Sequence, residues 1–248
     1  MKNYKITLIL TILILTSCRE KNKDAFTAQQ IIDKAIEVSG GSRYKTKSIA
    51  FDFRDRSYFS QPSGKGKVLQ RLLKNDTITL LDVKSPDGFQ RFINDSLVVV
   101  PDSMANKYSN SINSVHYFAY LPYGLNDPAV QKELLGEITI NNQPYYKVKI
   151  SFTEEGGGDD FEDVFLYWFH KETFKPDFLA YEFKVNGGGI RFREAYNERY
   201  IDSIRFVDYI NYKPTDETPF IHVDSLYIKK TLEELSKIEL KDIVVQNP

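Results

Sequence analysis

The sequence predicts a β-rich α+β protein, in which a curled antiparallel sheet follows an N-terminal helix and is interrupted by a second helical segment. Three observations support this fold class: an amphipathic stretch at residues 27–41, a long series of residues that alternate between apolar and polar, and a break in that alternation at residues 102–136. Aromatic residues make up 14% of the chain and fall mostly within the alternating stretches. This composition favours a curved antiparallel sheet with one buried face.

The stretch TAQQIIDKAIEVSGG, residues 27–41, predicts the N-terminal helix. Thr27 can cap the first turn, and Gln30, three residues later, can bond back to it. One apolar stripe follows the helical period and consists of Ile31, Ile32, Ala35 and Ile36. Gly40 supplies the left-handed residue at which such a helix ends.

After this helix, apolar residues recur at every second position, as Ile49, Phe51 and Phe53 do, which predicts a first strand. Turn sequences such as SPDG at residues 85–88 separate the strands that follow. These strands are predicted at residues 66–73, 77–84, 89–93, 96–100, 137–141, 145–153, 161–170, 177–185, 190–200, 204–212, 221–230 and 238–246.

Residues 102–136 interrupt the alternation and predict a mid-chain helical segment. We expect a helix near residues 109–120, a turn at residues 122–124, and a short helix near residues 127–135. The second helix is expected because Asp127-Pro128 is typical of a helix start.

Apolar and aromatic side chains surround the Pro-Tyr-Gly turn of this segment: Val115, Tyr117, Phe118, Tyr120, Leu121 and Tyr123. They could form core packed over the sheet, or a mobile lid that gates an apolar cavity. The second interpretation makes Tyr117 and Tyr123 candidate ligand-binding residues, and both interpretations stay open at this point.

The N-terminus has a charged start and an apolar run at residues 6–15 that is too short to span a bilayer, which is typical of a secretory signal peptide. The stretch LTSC that ends at Cys18 resembles the lipobox of bacterial lipoproteins, in which the cysteine becomes the acylated N-terminus. Cys18 is the only cysteine, so an internal disulfide is impossible. We therefore expect a lipoprotein signal peptide at residues 1–17 and lipidation of Cys18. The alternatives are an unprocessed signal anchor and a free thiol.

The stretch that follows the cysteine is short and charged, and it predicts a flexible tether at residues 18–26. Because no linker, low-complexity tract or repeat is evident afterwards, we expect residues 27–248 to form one domain. Several acyl chains would hold the protein stably on a membrane. The predicted location is therefore the cell envelope, with a lipid anchor at the outer membrane, on either its periplasmic or its surface face.

The charge balance gives no sign of a nucleic-acid partner. Removing two lysines with residues 1–17 lowers the 33 Lys and Arg to 31, which against 34 acidic side chains leaves a net charge of −3. Such a chain lacks the basic footprint of nucleic-acid binding and a polybasic membrane patch. We predict neither a metal nor a cofactor, since His116, His170 and His222 have no metal-ligand spacing and no phosphate-binding loop is evident.

Two glycine triplets stand about thirty residues apart: Gly156, Gly157 and Gly158, then Gly187, Gly188 and Gly189. If a hairpin pairs His170 with Lys175, the constant index sum of an antiparallel pair places the two triplets opposite each other. Glycine weakens a strand interior, so a patch formed by these six glycines requires an explanation. It could bend the sheet or receive a side chain from within, or it could form the floor of a binding site.

Charged residues flank the two triplets. Asp160 belongs to the acidic cluster DDFED after the first triplet, and Arg191 and Arg193 share one face of the strand after the second. The acidic cluster could be a solvated edge or a salt-bridge partner for the arginines. Alternatively, the carboxylates and arginines could serve an enzyme as acid and anion clamp.

The order of elements resembles the half-open barrel of the LolA/LolB lipoprotein-carrier superfamily, in which helices plug the concave face of a curled sheet. The stretches VFLYWFHKETFKPDFLAYEF and YIDSIRFVDYINYK carry this resemblance. The chain also resembles an uncharacterised family of Gram-negative lipoproteins that share the blocks NSVHYFAYLPYGLNDPAV, GGGDDFEDVF and NGGGIRFREAYN. The resemblance implies a half-open barrel with a mid-chain helical plug.

These observations lead to one main hypothesis and two alternatives. The main hypothesis is a lipid-anchored envelope protein that binds an apolar or amphiphilic, lipid-like ligand in the half-barrel, near the two triplets, Arg191, Arg193, Asp160, Tyr117 and Tyr123. The first alternative is an envelope protein-interaction module without a ligand, whose protein partner the sequence does not identify. The second is the carboxylate enzyme, which we consider less favoured than a binding function.

Overall fold

The computed structural model describes residues 26–158, 161–184 and 187–248. The predicted signal peptide, Cys18 and Asp160 lie outside these residues. Within the described part, no helix is both long enough and apolar enough to cross a membrane.

The first part of the described chain, residues 26–119, contains three helices and six strands. The helices are α1 (Ala28–Ser39), α2 (Arg43–Thr46) and α3 (Asp102–Ala119). The strands are β1 (Ser48–Phe53), β2 (Arg56–Ser63), β3 (Gly66–Lys74), β4 (Thr79–Ser85), β5 (Gly88–Ile93) and β6 (Ser96–Val98).

The second part begins with a 3₁₀ turn at Tyr123–Asn126 and contains the remaining strands. These are β7 (Val130–Ile140), β8 (Gln143–Phe152), β9 (Val164–His170), β10 (Pro176–Phe183), β11 (Gly189–Ile201), β12 (Ile204–Pro214), β13 (Leu232–Ile238) and β14 (Lys241–Gln246). A 3₁₀ turn at Phe220–His222 leads into α4 (Val223–Ile228), which precedes β13.

The strands form two antiparallel sheets of seven strands each. The N-terminal sheet has the order β14-β1-β2-β3-β4-β5-β6, and the C-terminal sheet has the order β13-β12-β11-β10-β9-β8-β7. Within the described residues neither sheet closes into a barrel. The predicted fold class, β-rich with an open curled sheet, an N-terminal helix and a mid-chain helix, is confirmed.

Helix α1 forms as its sequence predicts. The Thr27 hydroxyl accepts a hydrogen bond from the backbone of Gln30, and the Gln30 side chain accepts one from the backbone of Thr27, which makes a complete capping box. The helix ends at Gly40, whose φ of 137° suits glycine. Its buried stripe packs with side chains of the C-terminal sheet in one hydrophobic cluster.

Helix α3 is longer than predicted and begins at Asp102. It buries Ile112, His116 and Ala119. The short helix predicted near residues 127–135 is wrong, since strand β7 starts at Val130 and pairs with β8 over ten positions. Backbone pairing with β8 satisfies the peptide groups there, so tertiary context overrides the local helix-start signal.

One further prediction is corrected. The strand predicted at residues 221–230 is the 3₁₀ turn followed by α4, whose Val223 packs into a cluster with Trp168 and Phe192 of the C-terminal sheet. The strand predicted at residues 238–246 forms as β14 in the N-terminal sheet, whereas β13, which joins the C-terminal sheet, was not predicted. Strand β2 was not predicted.

Candidate functional site

A cavity of about 490 Å³ lies between the inner face of the C-terminal sheet and helix α3. The sheet contributes apolar and aromatic side chains from β8 to β10: Phe152, Phe165, Tyr167, Leu179 and Tyr181. This volume is in the range of small-molecule binding sites in proteins, and the lining combines apolar side chains with several polar and charged ones. The cavity is therefore the candidate functional site.

Strand register explains why these side chains share one face. Tyr167 is the Cα partner of Leu179, and Phe165 is the partner of Tyr181. Leu179 is in turn the partner of Arg193 on β11. Cross-strand partners point to the same side of a sheet, so these five residues form one continuous inner surface.

The opposite wall comes from α3 and the residues that follow it. Tyr117, Phe118 and Leu121 line the cavity here, together with polar residues of the preceding turn of the helix. The Tyr117 ring packs against Gly124, where an added Cβ would lie 2.3 Å from Tyr117 Cε2. Gly124 therefore makes room for the ring, and this close approach fixes the position of Tyr117.

Arg193 is the cation on the inner face of the sheet. Its guanidinium lies 5.2 Å from the ring centroid of Phe118 and 5.0 Å from that of Tyr181. Nη2 donates a hydrogen bond to the Tyr181 hydroxyl at 3.1 Å. Nε is buried and has no hydrogen-bond acceptor among the described residues.

Two more ionisable groups lie at the cavity wall near α3. Burial raises the pKa of the Tyr117 hydroxyl, and the nearby Asp127 carboxylate raises it further. Burial also raises the pKa of Asp127 itself, against the opposing effect of Lys132. The Tyr117 hydroxyl thus stays protonated, and it has no hydrogen-bond partner among the described residues.

The first glycine triplet lies in the loop between β8 and β9 and lines the cavity. Gly156 and Gly158 have φ near +80°, a region that side chains rarely adopt. A Cβ on Gly157 would lie 2.2 Å from the Thr153 carbonyl oxygen and 2.7 Å from Cβ of Phe161. These glycines allow a compact loop at the edge of the cavity.

The second triplet is placed differently. Gly187 and Gly188 belong to the loop between β10 and β11, and Gly189 is the partner of Phe183. The three residues are outside the lining of the cavity, as is Arg191, whose guanidinium lies 5.0 Å from the Phe183 ring centroid.

The predicted pairing of the two triplets across one hairpin is wrong. The hairpin begins as expected, since His170 N donates to the Lys175 carbonyl and Pro176 is the partner of Phe169. A bulge between Pro176 and Phe178 then shifts the register, and the β9–β10 ladder ends at the pair Val164 and Glu182. The first triplet lies beyond it in the β8–β9 loop, while Gly187 and Gly188 lie in the β10–β11 loop.

Tyr123 lies outside the cavity lining and stacks on Tyr44 with a centroid distance of 5.2 Å. It belongs with the cluster beneath the N-terminal sheet, which supports the core interpretation for that residue. Of the predicted site residues, the structure therefore brings together Tyr117, the first triplet and Arg193. Asp160 lies outside the described residues.

The sequence analysis missed the aromatic inner face of β9 and β10, and it also missed Asp127. Phe165, Tyr167 and Tyr181 were read only as strand residues, although their period-two spacing already placed them on one face. Within the described chain, no group of three or more His, Cys, Asp and Glu side chains is arranged to hold a metal ion.

Comparison with protein families matches residues 4–242 to DUF6503, a family of unknown function. The chain belongs to this family. Comparison with curated proteins found no match.

Several solved structures resemble this DUF6503 protein. A LolA superfamily protein from Nitrosomonas europaea is 15% identical, with a TM-score of 0.45 over 90% of this chain and 96% of the other. A DUF1329 family protein from Desulfovibrio piger is 12% identical, with a TM-score of 0.48 over 88% and 93%. A domain assigned to outer membrane lipoprotein sorting, from Vibrio parahaemolyticus, is 11% identical, with a TM-score of 0.35 over 88% and 93%. These similarities concern the arrangement of the chain, and the function proposed next rests on the cavity.

Proposed function

We propose that this DUF6503 protein binds an apolar or amphiphilic ligand inside the cavity between the C-terminal sheet and α3. The observation that carries the proposal is the cavity itself, about 490 Å³ in volume and walled by aromatic and aliphatic side chains. Apolar surface that is removed from water on both sides stabilises a bound hydrocarbon by about 25 cal/mol for each Å² buried. A few polar groups then fix its orientation.

The proposal includes the location of the protein. The N-terminal residues have the pattern of a lipoprotein signal that ends at Cys18. A lipid anchor there would hold the domain at the cell envelope, where apolar and amphiphilic molecules are abundant. Carrier, sensor and scaffold roles all require the same binding step, and that step is what we propose.

An enzyme remains a second candidate because of Asp127. Burial raises the pKa of this carboxyl at the cavity wall, which is the condition a carboxylate acid catalyst needs. The sequence hypothesis had placed this role near Asp160. Binding is favoured because apolar and aromatic residues make up most of the described lining of the cavity.

Native mass spectrometry of the protein, purified from cells under non-denaturing conditions, tests the binding function. We expect a co-purifying mass the size of a lipid. Ser114→Trp should abolish it, because Ser114 is an exposed lining residue where an indole would fill the cavity without disturbing the core. Ser103→Trp, on the exposed surface of the same helix and outside the lining, is the matched control and should keep the mass.

A clean ligand-free mass, together with no binding of added amphiphiles, would overturn the proposal and favour the interaction module. In that case the edge strand β6 would be the surface to study next. Leu97 and Val99 are 61% and 95% exposed there.

A further inference from the structure

We propose that the ligand carries an oxyanion, a carboxylate or a phosphate, and that Arg193 and the Tyr117 hydroxyl hold it inside the cavity. This inference rests on the proposed binding function and specifies the chemical class of the ligand. It makes the bound molecule an anionic single-chain amphiphile, with its hydrocarbon chain against the aromatic inner face of the C-terminal sheet.

The first step of the argument is the missing counter-ion of Arg193. Within the described residues, no carboxylate lies within salt-bridge distance of its guanidinium, although other buried arginines are paired. Arg71 pairs with Asp82 at 2.6 Å, and Arg205 pairs with Glu198. Arg193 is half-buried and its Nε is shielded from solvent, so the missing acidic partner leaves a partly desolvated charge that an arginine cannot remove by losing its proton.

The second step is the set of unused hydrogen-bonding groups on residues that line the cavity. Six buried side-chain atoms lack a partner within the described structure, and two of the residues concerned line the cavity. These are Nε of Arg193, which can only donate, and the Tyr117 hydroxyl, whose proton has no acceptor. Two donors without acceptors in one cavity call for a ligand group rich in acceptor oxygens.

The third step is the balance of charge around the cavity. Among the described lining residues, the cations are Arg54 and Arg193, and the acids are Asp127 and Asp163. Burial raises the pKa of Asp127, which favours the neutral form of this carboxyl and weakens its repulsion of an anion. The aromatic contacts of Arg193 with Phe118 and Tyr181 hold the guanidinium plane without neutralising it.

Isothermal titration calorimetry with three ten-carbon probes tests the inference: decanoic acid, decyl phosphate and decan-1-ol. The wild-type protein should bind at least one of the two anions ten-fold or more tightly than the alcohol. Which anion binds better distinguishes a carboxylate ligand from a phosphate ligand.

The variants separate charge from shape. Arg193→Met should lower the affinity for the preferred anion ten-fold or more and leave the alcohol unchanged, while Arg193→Lys should keep part of the preference. Tyr117→Phe should lower anion affinity by a few-fold through loss of one donor. Arg191→Met is the matched control, because Arg191 shares the strand but lies outside the lining, and it should change nothing.

The outcomes are distinguishable from a failure of the proposed function. If the alcohol and the anions bind with equal affinity, and Arg193→Met affects neither, the cavity is a binding site but the oxyanion inference is overturned. If none of the three probes binds, and purified protein carries no ligand, the binding function itself fails.

Discussion

The inner faces of the two sheets both pack against α3, but the charged side chains on the two faces have different partners. Beneath the N-terminal sheet, Asp82 is fully buried and receives Arg71 and Arg91, each at 2.6 Å. The three residues are cross-strand neighbours on β3, β4 and β5. The guanidinium of Arg91 also lies 3.7 Å from the Tyr108 ring centroid on α3.

The C-terminal sheet instead presents Arg193 to α3 with an aromatic stack and no acidic partner among the described residues. Lys67 of the N-terminal sheet is a useful intermediate case. Its Nζ is also buried and unpartnered, but burial lowers the pKa of this amine to about 8, so it can shed its charge. An arginine guanidinium cannot lose its charge in this way. The two arginines that α3 covers on the N-terminal sheet are therefore paired with an acid, whereas Arg193 at the cavity has no acidic partner among the described residues.

The largest expected effect comes from removing the shared acid of the sealed face. Asp82→Asn should lower the free energy of unfolding by about 3–5 kcal/mol, because it leaves two arginines without a buried counter-ion. Arg193→Met in the ligand-free protein should leave the free energy of unfolding nearly unchanged or raise it, since it removes a charge that has no acidic partner among the described residues. Urea unfolding measures both.

Asp87→Asn is the matched control for this comparison, since Asp87 pairs with Lys65 at 2.6 Å on an exposed turn. Such exposed pairs contribute less than about 1 kcal/mol. Equal losses in Asp82→Asn and Arg193→Met would show that the two faces do not differ in how they compensate their buried charges.

The second prediction concerns pH and His116, which is 2% exposed under the N-terminal sheet. Burial lowers the pKa of His116 to about 3, opposed by a hydrogen bond to the Gln70 carbonyl and assisted by Lys67 and Lys84. The unfolded state takes up a proton near pH 6.5, and the folded state does so only near pH 3. The contribution of His116 to the free energy of unfolding is therefore fully present above pH 6.5, and it is lost as the pH falls from 6.5 towards 3.

As the pH falls from well above 6.5 to well below 3, the total loss is on the order of 5 kcal/mol. Unfolding free energies measured from pH 7 to pH 4 should show a steep decline that His116→Gln flattens. His222→Gln, at an exposed histidine, is the control and should leave the profile unchanged. A profile that is equally steep in both variants would assign the acid sensitivity to carboxylates and remove His116 from the account.

Local sequence signals predicted the elements whose structure depends on near neighbours. All residues that form the capping box and the apolar stripe of α1 lie within residues 27–41, and the structure confirms both features. The tight turn after His170 is likewise local, and its hydrogen bonds form as expected. These elements need no information from the rest of the chain.

The features that depend on distant partners were not predictable in this way. The bulge after Pro176 shifts the register by one residue, and nothing in the glycine spacing reveals it. Helix α4 replaces an expected strand because Val223 and Tyr227 cover aromatic residues of the outer face. The sequence analysis selected Arg193 and Tyr117 as site residues, but only the fold shows that Nε of Arg193 and the Tyr117 hydroxyl have no hydrogen-bond partner among the described residues.

The smallest expected effect distinguishes the two glycine triplets, one beside the cavity and one outside it. Gly187→Ala should cost roughly 1 kcal/mol of stability, because φ at Gly187 is +88° although an added Cβ would meet nothing. It should leave the affinity for the preferred ten-carbon anion unchanged. Gly157→Ala should lower that affinity, since its Cβ would collide with the Thr153 carbonyl oxygen and move the loop that lines the cavity. A loss of affinity in Gly187→Ala as large as that in Gly157→Ala would mean that the second triplet also reaches the ligand.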